Sequence, residues 1–164
     1  MNAAVEIPRL AVPRVLGMYR RMASLPFGRW LFARTICWNA PYFGTIRPRF
    51  LELRPGLCQV SMSKRRAVHN HIGTVHAIAM ANLCELAAGM LMEASIPVTM
   101  RWIPRGMTIE YLKKAASGVA ATARLDKQAW TTENVGVPVS VSDAQGVEVV
   151  RAVITMYVSE KKAG

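Results

Sequence analysis

Residues Asn70–Met92 read NHIGTVHAIAMANLCELAAGMLM, and this stretch decides what kind of domain the chain forms. From Ala77 to Met92 the one charged residue is Glu85, in a run of Ala, Leu, Ile, Met, Gly, Asn and Cys. A helix apolar nearly all round is normally buried in a core, and about 16 to 20 residues with a polar start is short for a bilayer span. The stretch therefore predicts a helix wrapped by the rest of the domain. A lone carboxylate on such a helix is unfavourable unless it is paired, hydrogen-bonded or open to a cleft, so Glu85 is the residue that needs a reason.

The 164 residues are enough for a single domain, 1–164, with a core that needs no staples. Cys37, Cys58 and Cys84 are odd in number, far apart and form no CxxC pair. That pattern suggests neither a disulfide framework nor a zinc site, and favours a reducing compartment, so a cytoplasmic protein is expected. The opening MNAAVEIPRLAVPRV lacks the pattern of a secretory signal, and no other apolar run reaches a membrane-spanning length. A formal charge of +11 should attract anionic partners: nucleotide-bearing substrates such as coenzyme A, acidic carrier proteins, nucleic acid or anionic lipid. Nucleic acid ranks last, because the basic stretches carry few aromatics and no helix-turn-helix or RNA-binding motif is present.

Around the central helix the chain divides as follows. Residues 1–40 form a basic segment that should pack on the domain, with a helix over about Val12–Ala23 starting at Pro13, a turn at Pro26-Phe27-Gly28, and a second short helix over Trp30–Cys37. Its arginines read as a solvated face, with docking to a membrane surface as the sharper alternative. After Pro41–Gly44 the period becomes strand-like. Ile46–Leu53 and Leu57–Arg66 predict two strands joined at Arg54-Pro55-Gly56. Beyond the helix, Val98–Trp102 and Met107–Lys113 predict one long strand broken near Pro104 and Gly106, followed by a strand at Val119–Leu125. Val135, Val137, Val139 and Val141 then alternate with small or polar residues, and Pro138 among them should lie at a bulge or an edge. The last strand is Val147–Val158, and Glu160–Gly164 is a polar tail. Hairpin connections imply an antiparallel sheet with one apolar face, which the long helix covers, giving an α+β domain.

On a helical wheel, Met80, Leu83, Ala87 and Met90 form the face a sheet would receive. Ile78, Ala81, Asn82, Glu85, Ala88, Gly89 and Met92 form the other, where small residues allow a backbone or a ligand to approach. His76 and Glu85, nine positions apart, fall on opposite sides, so a site using both would draw one from each subunit of a symmetric dimer.

Asn70-x-x-Gly73-x-x-His76, with Glu85 downstream, resembles the N-x-x-G-x-x-H-G-G motif and following acid of hotdog-fold acyl-coenzyme A thioesterases of the phenylacetate-pathway type. Ile109, Tyr111, Leu112, Lys113, Lys114, Ala115 and Gly118 resemble a later strand of the same family. The nearest likeness, over about residues 40–158, is to the thioesterase-like branch called domain of unknown function 4442. The resemblance implies a hotdog fold, an antiparallel sheet wrapped around one long helix. It also implies an acyl-coenzyme A thioesterase assembled as a homodimer or homotetramer, with no cofactor beyond the coenzyme A of the substrate. By position, Glu85 matches the nucleophile or general base and Asn70 the side chain that positions the water or thioester. The Ala77 amide matches the donor to the carbonyl oxygen, His76 the histidine beside it, and Gly73 the turn. Ala77-Ile78 stands in place of the double glycine, and Gly89 where some relatives carry Ser or Thr. Asn82 and Gly89 are expected to line the substrate, and Arg101, Lys113 and Lys114 to meet coenzyme A phosphates.

Each of these residues also has a plainer reading. His76 can cap the helix, Asn70 can hold a turn, and Glu85 can pair with an arginine across an interface. The loop spacing of His69, Asn70, His71 and His76 fits no strong zinc motif, so no metal is expected. An acyl-binding protein without catalysis is the competing function.

Overall fold

In a computed structural model that describes residues 12–126 and 129–161, two helices lead into a six-stranded sheet that wraps one long helix. They are α1 (Arg14–Ala23) and α2 (Gly28–Asn39), followed by a 3-10 turn at Pro41–Ile46. Strands β1 (Arg49–Arg54) and β2 (Leu57–Met62) come next, then a second 3-10 turn at Arg66–Val68, α3 (Ala77–Ser95), β3 (Met100–Tyr111), β4 (Val119–Arg124), β5 (Glu133–Asp143) and β6 (Glu148–Glu160). The strand order is β1-β2-β4-β5-β6-β3 and every pairing is antiparallel. This is the α+β hotdog arrangement that the resemblance implied. The part of the basic segment at 1–11, including Arg9, and the end of the tail at 162–164 lie outside the described residues.

Several boundaries move for local reasons. The first strand begins at Arg49 rather than Ile46, because Pro41–Ile46 winds as a 3-10 turn that ends on Arg47 at φ +48° before Pro48. The second strand stops at Met62 instead of Arg66, and Arg66 enters the second 3-10 turn. The β3 register shifts between Pro104 and Gly106, as the break in the pattern foretold. Pro138 belongs to an interior strand, but β4 pairs with β5 only over Val139–Asp143, so Pro138 lies where that neighbour has ended. A residue without an amide proton is tolerated there.

The core is continuous from the N-terminal helices to the sheet. Tyr19, Phe32 and Phe50 stack edge to face, with centroids 5.1 and 4.9 Å apart, tying α1 and α2 to β1. Met80, Leu83, Ala87 and Met90 are all buried, as the wheel predicts. The opposite face is not uniformly open, however: Ala88, Gly89 and Met92 are buried as well, while Ile78 is 57% exposed. The stretch reads as short for a bilayer span, yet at 19 residues α3 has the length and hydropathy of one; it is mostly enclosed by protein.

Candidate functional site

The loop before α3 is built by Asn70. Its Oδ1 accepts from the amides of Ile72 and Thr74 at 3.2 and 3.0 Å, and its Nδ2 donates to Thr74 Oγ1 at 2.8 Å. Its carbonyl accepts from the Gly73 amide at 3.2 Å. Short polar side chains make such local turns because they reach nearby backbone groups. Gly73 has φ +76° and open space where a Cβ would stand, so the left-handed backbone rather than crowding selects glycine.

His76 is the N-cap of α3, and its Nδ1 accepts from the Ile78 amide at 3.1 Å, so in the neutral ring the proton lies on Nε2. Being outside the helix, it does not follow the wheel. What separates it from Glu85 is length: nine residues at about 1.5 Å each, or about 13 Å along the axis. The first-turn amides of Ala77 and Ala79 have no partner within the helix, and the helix dipole favours negative charge beside them. Tyr111, at the end of β3, donates its hydroxyl to the Ala77 carbonyl at 3.3 Å and pins the strand end to the helix start. Burial, and after it the Cys84 sulfur, raise the phenol pKa. Burial pushes the Cys84 thiol up to about 12, which leaves it a packing group rather than a nucleophile.

Glu85 is half-buried and has neither hydrogen bond nor ion pair among the described residues. Glu93, eight residues on, accepts from Trp102 Nε1 at 2.9 Å. That indole lies over Gly89, where an added Cβ would stand 2.9 Å from Trp102 Cη2. Gly89 therefore meets an indole in this chain.

Asn82 points to the other flank. It is 6% exposed, its Nδ2 donates to Thr45 Oγ1 at 3.3 Å, and its buried Oδ1 has no partner among the described residues. It borders a cavity of about 180 Å³ with Thr45, His69, His76 and Ile78, and the buried Nε2 of His69 is likewise unpartnered. Of the cationic residues, Lys113 and Lys114 stand near the helix start, since the adjoining Ala115 carbonyl accepts from the Val75 amide. Arg101 is at the far end of β3, some 35 to 40 Å away at the ordinary rise of a strand, and donates to Ser159 Oγ. One chain does not bring it together with the lysines. Among the described residues no three His, Cys, Asp or Glu side chains converge on a possible metal position.

Trp102, Thr45 and Tyr111 were not singled out as site residues from the sequence. An isolated glycine within a helix marks a close approach, so Gly89 carried a signal for Trp102. Thr45 reaches Asn82 across 37 residues, and no local pattern announces that contact.

The family model for the domain of unknown function DUF4442 matches residues 28–158. The chain belongs to this family. A crystal structure of a structural-genomics target is 49% identical, with a TM-score of 0.79 over 90% of this chain and 99% of that one. A probable thioesterase from Pseudomonas aeruginosa is 22% identical (TM-score 0.71, 84% and 97% covered). A thioesterase from Haemophilus influenzae is 11% identical (TM-score 0.69, 79% and 89% covered). At those identities the two thioesterases establish the hotdog fold of this DUF4442 chain. A search of curated proteins gives no match.

Proposed function

We propose that this DUF4442 chain hydrolyses acyl-coenzyme A thioesters in a site completed by a second copy, with Glu85 as general base or nucleophile. The observation that carries this reading is the placement of Glu85. It is a half-buried carboxylate without a partner among the described residues, on the more open part of a largely enclosed helix, about 13 Å along that helix from the loop expected to share its chemistry. The β3 edge supports assembly. Among the described residues it pairs only with β6, and a long unpaired edge is a template for another strand. A two-fold axis beside β3 and the open turns of α3 would set Glu85 of one copy near the Asn70–Ala77 loop of the other.

In that site Glu85 takes a proton from the water that attacks the thioester carbonyl, or attacks that carbonyl itself to form an anhydride that water then cleaves. Either way the C–S bond breaks and coenzyme A leaves as the thiol, the proton coming from the water. The Ala77 amide and the helix dipole stabilise the oxyanion, and Lys113 and Lys114 draw the coenzyme A phosphates. Asn70 is largely engaged in its own loop, so its contribution is to hold that loop and offer one remaining amide hydrogen. Ile78 narrows the approach to the amide.

One observation favours a second reading, an acyl-coenzyme A binding protein without turnover: the Trp102 indole fills the space over Gly89, leaving no hydroxyl there to hold a water. Assay of purified protein against saturated acyl-coenzyme A substrates of increasing chain length separates the two. Turnover that Glu85→Gln lowers about a hundredfold or more supports hydrolysis. Tight binding of a nonhydrolysable analogue without turnover supports the binding protein.

A further inference from the structure

From residue 12 to residue 51 the chain carries seven arginines and no aspartate or glutamate. Four cationic side chains converge on one cavity of about 260 Å³ between α2, the turn before β1 and the end of β2. Arg34, Arg47, Arg49 and Arg65 line it with Trp30 and Ser63, and no carboxylate does. None of the four has a carboxylate partner among the described residues. Arg65 is the innermost. One of its Nη groups donates to the Thr45 carbonyl, while its buried Nε has no partner. Arg47 holds its place at φ +48° before a proline, a backbone that side-chain-bearing residues rarely adopt. Arg34 leans over the Trp30 ring at 5.9 Å. Burial, and after it Arg47, lower the Arg65 pKa, so these guanidiniums feel one another.

Like charges gathered without counter-ions repel, and a buried guanidinium N–H without an acceptor is unfavourable. An anion in the cavity relieves both, and the planar fork of arginine fits phosphate oxygens two at a time. We propose that this cavity is a binding site for a phosphate ester, either the headgroup of an anionic phospholipid or a soluble phosphate. It is independent of Glu85 and holds whether or not the chain hydrolyses thioesters. Trp30 of the lining and the exposed apolar side chains of its own segment match the lipid source. Phe27, in the turn between α1 and α2, is 87% exposed and Trp38 of α2 86%, with Leu25 of the same turn and Trp30 and Leu31 of α2 also in solvent. Aromatic residues interleaved with arginine suit the headgroup region of a bilayer.

The test compares wild type with two doubly substituted proteins of equal charge. One carries Arg34→Gln and Arg49→Gln, both exposed at the cavity; the other carries Arg54→Gln and Arg124→Gln, away from it. Each is titrated calorimetrically with inorganic pyrophosphate and co-sedimented with vesicles of phosphatidylcholine containing about 30% phosphatidylglycerol. The proposal predicts that at least one probe binds wild type, that the cavity pair weakens it roughly tenfold or more, and that the distant pair has a much smaller effect. Vesicle binding alone identifies a lipid headgroup, and pyrophosphate binding alone a soluble ester. Binding of neither probe, or equal loss in both pairs, overturns the site.

Discussion

Glu85 and Glu93 stand eight residues apart on the same helix and are both half-buried, yet their surroundings differ completely. Glu93 belongs to the closed half of α3, where Gly89 admits the Trp102 indole and the indole N–H meets the carboxylate. Glu85 belongs to the open half, beside exposed Ile78, with no partner among the described residues. One carboxylate is part of the packing; the other has no partner among the described residues. An apolar helix can thus be enclosed along one half and more open along the other, and composition does not distinguish them.

The contrast can be broken or sharpened by substitution. The largest effect belongs to the shared inner face: Leu83→Ala, fully buried, should lower the unfolding free energy by about 2 to 5 kcal/mol in a denaturant titration. A loss below about 1 kcal/mol would mean that the helix is not enclosed as described. Next come the two acids. Glu85→Gln should reduce kcat by about a hundredfold with little change in Tm, whereas Glu93→Gln should leave turnover within a few-fold. Equal losses would erase the distinction between them. Trp102→Phe removes the donor to Glu93 and should cost about 1 to 2 kcal/mol of stability, without the collapse of turnover expected for Glu85→Gln. Smallest is Ile78→Ala, expected to stay within about 0.5 kcal/mol in dilute monomer, and to cost more only where a second copy covers it.

How much of this was legible in the sequence follows from the range of the interactions. The buried helix, the alternating valines of β5 and the break in β3 are written in neighbouring residues, and they appear where the patterns put them. The strand ends at Ile46 and Arg66 were misplaced because 3-10 turns and a left-handed Arg47 have no strong local signature. The Asn70 to Glu85 spacing was readable as a motif, whereas the partners of its residues were not. That Asn82 meets Thr45 depends on how distant segments fold together, while the separation of Arg101 from Lys113 was already implied by the one long strand the sequence predicts. Half of α3 looked open on the wheel and is closed, because the wheel does not register that Trp102 arrives from β3.

The central claim is that one active site draws on two copies, and subunit complementation tests it most directly. One variant carries Glu85→Gln and the other Asn70→Ala with His76→Ala, each nearly inactive alone. Unfolded together and refolded as a random mixture, they should regain about a quarter of wild-type turnover, since half the dimers are mixed and each mixed dimer holds one intact site. Recovery no greater than either parent would place the whole site within one chain and contradict the account.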